Sequence, residues 1–203
     1  MKKIFLLPIA LIAAVAFSFQ TADIKPIEIG TSIPKADLKM YDVISGNQFS
    51  INDKKGASGT LVIFSCNTCP YVIAQEARIR EIIANAARMD IGVVVINSNE
   101  AKRGDEDSKA AMKKYAEGQK YTAPYLVDEN SAMANAFGAT RTPENFLFDK
   151  DGKLVYRGSI DDSPREISDV KSHYLLDAMT ALSKGKEIVT KTTVSSGCSI
   201  KRK

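Results

Sequence analysis

The chain has 203 residues, enough for one ordinary domain plus a targeting segment or terminal extras. Hydrophobic residues at 44% and charged residues at 26% exclude a disordered or fibrous chain and require a buried core. The formal charge of +4 falls further if Lys2 and Lys3 leave with a leader, so the balance points to neither nucleic acid nor an anionic membrane surface.

Lys2 and Lys3 precede an apolar run from Ile4 to Phe19, and Ala16-Phe17-Ser18 offers small residues at the spacing a signal peptidase reads. The segment reads as a secretory signal peptide ending at residue 18 or 22, which makes the protein exported and most simply periplasmic. The run is about the minimum length for a membrane span, so an uncleaved anchor is the alternative. No cysteine lies near it, which excludes lipid attachment there. The chain then divides into a signal peptide (1–22), a folded domain (23–186) and a C-terminal tail (187–203).

Thr21 to Lys35 carries Pro26, Gly30 and Pro34 and predicts an extended lead-in. Leu38 to Val43 and Gln48 to Ile51 flank Ser45-Gly46-Asn47, a plausible antiparallel hairpin. Leu61 to Phe64 is a continuous apolar run, as expected for a strand buried on both faces, and it leads directly to Cys66. Beyond Pro70, apolar residues at 72, 79, 82, 83 and 86 recur at helical spacing, with Glu76, Arg78, Arg80 and Glu81 assigned largely to the opposite, solvent side. Ile91 to Ile96 is a second apolar run, so strand, helix and strand form a crossover unit with parallel strands.

Asn99 to Asp107 is polar and charged and predicts a surface loop. Ser108 to Glu117 predicts a short helix, Tyr125 to Val127 a strand, and Ser131 to Phe137 a helix capped by Gly138. Asn145 to Asp149 and Leu154 to Gly158 flank an Asp151-Gly152 turn, which makes the strand pairing antiparallel at that end. Val170 to Leu182 predicts a closing amphipathic helix, followed by a polar tail. The order of elements predicts an α/β fold with a mixed sheet and helices on both faces.

Cys66-Asn67-Thr68-Cys69 falls where a buried strand ends and a helix begins. Unpaired backbone N–H groups and the helix dipole favour a thiolate there, and the thiolate is the attacking species in disulfide exchange. Two intervening residues let the second sulfur resolve a mixed disulfide formed at the first. The pair is too close in sequence to staple distant parts of a fold. Pro70 suits the first turn of a helix, and Thr142-Pro143 suits the start of a strand. A zinc centre built from Cys66, Cys69, Cys198 and His173 lacks a second closely spaced ligand pair, so no metal or other cofactor is expected. Cys198 is open to three readings: a third redox thiol folding back on the pair, a site of intermolecular pairing, or an idle thiol.

These residues, with the order of elements, resemble the thioredoxin superfamily, and in particular the redoxin branch related to alkyl hydroperoxide reductase and to envelope thiol-disulfide reductases. The likeness runs from about Ile29 to Lys186, the hairpin matching that branch's N-terminal extension. Phe64 to Val72, His173 to Lys186 and Gly197-Cys198-Ser199-Ile200-Lys201 are similar to a group of bacterial thioredoxin-family proteins that commonly carry histidine where this chain has Thr68. The resemblance implies that Cys66 is the nucleophile, that Cys69 resolves, and that Pro143 is a cis-proline which, with Thr142, shapes the substrate groove. It implies thiol-disulfide exchange in the cell envelope with a protein or small-molecule disulfide, supplied by a membrane-linked thiol electron donor. A thiol peroxidase with an antioxidant activity is the alternative, weakened because Ile63 stands where such enzymes carry threonine. A copper-delivery assembly factor ranks third, because it would need three residues between the cysteines.

Overall fold

The computed structural model describes residues 24–203, so the leader lies outside the described residues. Among the described residues, no helix is long and apolar enough to cross a membrane.

The N-terminal hairpin is shorter than its sequence pattern suggests: β1 (Met40–Asp42) pairs antiparallel with β2 (Gln48–Phe49). Asp42 holds the turn, its carboxylate accepting from the Ser45 amide and hydroxyl. β3 (Gly59–Ser65) is buried at every position, which its unbroken apolar run requires of a central strand. It leads into α1 (Pro70–Arg88), whose N-cap is Cys69 and whose first helical residue is proline. β4 (Ile91–Asn97) returns parallel to β3.

α2 (Lys109–Gly118) starts at Ser108, whose hydroxyl accepts from the Ala111 amide. Next come β5 (Tyr125–Val127), α3 (Ala132–Phe137), closed by left-handed Gly138, and β6 (Arg141–Thr142). β7 (Glu144–Asp149) and β8 (Leu154–Gly158) form the second hairpin. α4 (Tyr174–Ser183) is shorter than the pattern over 170–182 predicts, because residues 170–173 run as a separate segment before His173 caps the helix. β9 (Cys198–Ser199) lies in the tail.

The main sheet has seven strands in the order β2-β1-β5-β4-β3-β7-β8 and is mixed. Its side chains divide between two cores. Ile79, Ile82, Ile83, Met112, Leu175 and Met179 of α1, α2 and α4 pack on one face against Leu61, Ile63, Val93 and Val95. On the other face Met133, Ala134 and Phe137 of α3 meet Val62, Phe64, Val94 and Ile96, with Phe137 edge-on to Phe64, Phe146 and Phe148. The alternation of Leu61, Val62, Ile63 and Phe64 between the cores is the two-residue period of a strand.

Two expectations need correcting. Glu76 and Arg78 are only 6% exposed each, although their polarity assigns them to the solvent side of α1. Other elements cover that side: Glu76 accepts from the hydroxyls of Tyr115 and Tyr121, and Arg78 donates to Asp161 at 2.7 Å and to the Ser163 carbonyl. The segment 99–107 is likewise not a solvated loop throughout, since Asn99 and Asp107 are buried.

Register places the site. Phe64 sits opposite Glu144 in the antiparallel β3–β7 pair, and Ser65 lies beside Asn97 in the parallel β3–β4 pair. The residue after β3 must therefore emerge next to the residues just before β7, which brings Cys66 to Thr142 and Pro143.

Candidate active site

Cys66 Sγ lies 3.2 Å from Thr142 Oγ1, and Cys69 Sγ lies 3.2 Å from the Thr142 carbonyl oxygen. The Thr142–Pro143 peptide bond is cis. Cys66 and Cys69 are free thiols, exposed by only 2% and 3%. The third sulfur joins them, with Cys198 Sγ 2.6 Å from Cys69 Sγ. All five residues singled out from the sequence, Cys66, Cys69, Thr142, Pro143 and Cys198, thus converge in one place.

The helix start favours a thiolate, and its amides act on Cys69. Hydrogen bonding from Cys66 is the largest influence holding Cys69 down, to about 4, against the opposing cost of burial. The Cys198 thiol, the Val72 amide and the Cys198 amide add to it. Cys66 is pushed well above the ordinary thiol range, first by that same hydrogen bond and then by burial, while the Thr142 hydroxyl opposes the rise. Their interaction thus favours the thiolate at Cys69 and the thiol at Cys66. The Thr142 carbonyl favours a protonated Cys69, but the donors converging on that sulfur outnumber it. Cys198 is raised to about 11, by burial first and then by the neighbouring Cys69.

The two residues between the cysteines have opposite environments. Thr68 is exposed, whereas Asn67 is wired into the core. Its amide donates to Asp107 at 3.1 Å, its side-chain amide to the Glu106 carbonyl at 2.7 Å, and its side-chain oxygen accepts from the Tyr125 hydroxyl at 2.9 Å. Asp107, fully buried, also accepts from the side-chain amides of Asn97 and Asn99. This carboxylate fixes the loop that presents Cys66. Sequence reasoning missed it because a polar loop residue carries no periodic signal of burial, and its partners stand up to 40 positions away.

Behind the cysteines lies a tyrosine cluster. Tyr121 packs edge-on to Tyr115 and Tyr125, and Tyr115 and Tyr121 donate to Glu76. Burial raises the Glu76 carboxyl, against the pull of both hydroxyls. His173 caps α4 and lines a cavity with Arg78, Ile160 and Leu176 rather than with the cysteines, so the four-ligand zinc set does not come together. Among the described residues, no group of three or more His, Cys, Asp or Glu side chains is arranged to hold a metal ion.

Comparison with known proteins agrees with this architecture. The chain is 22% identical over 170 residues to the thiol-disulfide oxidoreductase ResA of Geobacillus kaustophilus (strain HTA426), covering 80% of this chain and 91% of that protein. The crystal structure of an uncharacterized conserved protein from Geobacillus kaustophilus superposes with a TM-score of 0.81 at 37% identity, over 87% of this chain and 93% of that one. A hypothetical protein from Sinorhizobium meliloti 1021 superposes with a TM-score of 0.80 at 34% identity, over 88% of this chain and 97% of that one. The fold is thioredoxin-like, a mixed sheet flanked by helices. The Redoxin family model matches residues 28–174, most of the described chain including both Cys66 and Cys69, and the chain belongs to the Redoxin family.

Proposed function

We propose that this protein is a thiol-disulfide oxidoreductase of the cell envelope that exchanges disulfides through Cys66 and Cys69. One observation carries the reading: the free thiols of Cys66 and Cys69 lie at a strand-to-helix junction, against the hydroxyl and the carbonyl of Thr142 beside Pro143. That arrangement lets the Cys69 thiolate take the Cys66 proton as Cys66 attacks, and places Cys69 to resolve the mixed disulfide.

Cys66 attacks one sulfur of the substrate disulfide as its proton passes to Cys69, and the first substrate thiolate leaves. That thiolate takes the proton from Cys69. Cys69 then attacks Cys66, which closes the Cys66–Cys69 disulfide and releases the second substrate thiolate. Substrate gains two electrons and the cysteine pair loses them. Thr142 and Pro143 line the groove where the substrate, a protein segment or a small disulfide, is held. A membrane-linked thiol donor returns the pair to the reduced state, and the N-terminal leader exports the chain to the periplasm, its anchor form being the alternative.

The test is a mass-spectrometric redox titration against glutathione, with insulin reduction and peroxide consumption measured in parallel. With Cys198→Ser, Cys66 and Cys69 should oxidise together, and Cys66→Ser or Cys69→Ser should lower insulin reduction at least about 100-fold, the scale of losing an intramolecular resolving step. Rapid peroxide turnover without insulin reduction would instead establish the peroxidase, and tight stoichiometric copper binding the delivery factor.

A further inference from the structure

The tail beyond α4 is laced onto the domain on both sides of Cys198. Arg157 donates its amide to the Lys191 carbonyl, and Thr193 returns its own amide to the Arg157 carbonyl, both at 3.0 Å. The Thr193 hydroxyl meets those of Tyr156 and Ser159. Beyond Cys198, the Ile200 amide donates to the Thr140 carbonyl, and its side chain, 6% exposed, enters the α3-side core. The Lys201 amide donates to Asn99 Oδ1 at 2.8 Å.

Between these anchors, Cys198 pairs antiparallel with Thr142, the residue that touches both active-site sulfurs. The approach admits only glycine at the preceding position, because a Cβ on Gly197 would overlap the Thr142 carbonyl oxygen. A free strand edge beside a reactive cysteine pair is where an extended peptide adds by backbone pairing. Here that edge is occupied, and both cysteines are buried beneath the occupant.

We propose that Cys198 is a third exchanging thiol, carried on a segment of the chain that takes the place of an extended substrate in the groove. This rests on the disulfide exchange proposed above, which delivers the Cys66–Cys69 disulfide. The Cys198 thiolate attacks Cys69, the sulfur it touches. The Cys69–Cys198 bond forms, the Cys66–Cys69 bond breaks, and Cys66 leaves as a thiolate facing the Thr142 hydroxyl. One disulfide replaces another, no electrons leave the protein, and the proton lost by Cys198 ends on Cys66. Closing the first disulfide also removes the Cys69 charge that helps hold the Cys198 proton in place. The product keeps Cys66 reduced and ties the tail across the groove until the thiol donor opens it, so an incoming substrate meets the groove only in the reduced, untethered form.

Full-length mature protein is oxidised with one equivalent of glutathione disulfide, acid-quenched, alkylated and digested with trypsin. Cys66 and Cys69 fall in one tryptic peptide and Cys198 in another, and fragmentation shows which sulfur carries the alkyl group. The expected main product is the Cys69–Cys198 cross-link with alkylated Cys66. Gly197→Ala, which unseats the strand without touching a sulfur, should lower that product at least about tenfold by reducing the local concentration of Cys198, while the Cys66–Cys69 disulfide still forms. Cys198→Ser should abolish alkylated Cys66 in oxidised protein. A Cys66–Cys69 disulfide with Cys198 fully alkylated in the wild type overturns the third-thiol role and leaves the exchange reaction standing. Failure of Cys66 and Cys69 to form a disulfide in Cys198→Ser removes both.

Discussion

Cys66 and Cys69 reach the sulfur cluster from a fully buried strand and a 19-residue helix, whereas Cys198 reaches it on a two-residue strand whose tail leaves Val189 and Val194 exposed by 95% and 88%. The first side is held by side-chain packing and buried hydrogen bonds, the second mostly by backbone pairing at the surface. Segments with few buried apolar side chains open at a small fraction of the global unfolding free energy. On the exchange proposed above, the cluster would combine a fixed pair with a removable partner, as a groove that both holds its own tail and admits a substrate requires.

The fixed side should break most severely at Asp107. Asp107→Ala removes the acceptor for the Asn67 amide and the side-chain amides of Asn97 and Asn99, leaving buried donors unpaired. A loss of about 3 to 5 kcal/mol is expected, read from urea unfolding. A loss below about 1 kcal/mol would mean that water replaces the carboxylate and that the loop is less rigid than its contacts indicate.

That residue also marks the boundary of what the sequence reveals. The strands over 59–65 and 91–97 and the helix after Pro70 are legible because burial on two faces or on one stripe leaves an apolar period in the chain. The placement of Cys66 and Cys69 at the junction follows from the same pattern. Asp107, Glu76 and Arg78 are illegible because polarity alone assigns a side chain to solvent, and each has a partner 39 or more positions away. The tail is illegible for another reason: its pairing with Thr142 uses main-chain groups, which every residue carries. Beside Cys198 itself, only Gly197 and Ile200 leave a trace, one by lacking a Cβ and one as an isolated apolar residue among polar neighbours.

The removable side should respond differently. Ile200→Ala deletes most of the apolar anchor beyond Cys198 at a cost of about 2 kcal/mol, the low end for a buried isoleucine. Native-state hydrogen exchange should show that loss in the amides of Thr193 and Ile200, while the amides of β3 keep their protection. Equal loss in both places would make the tail part of one cooperative unit and erase the contrast.

Titration separates the two sides by charge. Reduced protein should keep thiolate absorbance near 240 nm down to a midpoint of about 4, the value of Cys69. Cys66→Ala removes the main donor to that sulfur, so the midpoint should rise towards the ordinary thiol value of 9.0. A thiol held down stabilises the folded state above its ordinary value and loses that contribution as pH falls towards its folded one. Cys66, held up, acts in the reverse sense, being stabilising at low pH and losing that contribution as pH rises. The two windows lie on opposite sides of the ordinary thiol value, and absorbance reads the Cys69 thiolate directly in the lower one. An unchanged midpoint in Cys66→Ala would show that the Val72 and Cys198 donors suffice.

The smallest effect on stability is expected at the residue beside the most strongly fixed one. Thr68 projects into solvent while Asn67 is buried, so Thr68→His should change stability by less than about 0.5 kcal/mol, as exposed substitutions do. Its effect should appear in the redox midpoint of the Cys66–Cys69 pair. An imidazolium next to the cysteines favours the thiolate, stabilises the reduced form and makes the disulfide more oxidising, more so below pH 6.5, where histidine is charged. Glutathione titration of Thr68→His at pH 6 and pH 8 checks this: the gap from wild type should be wider at pH 6. A gap independent of pH would mean that the side chain acts by shape, and a large loss of stability would mean that position 68 is not free of the fold.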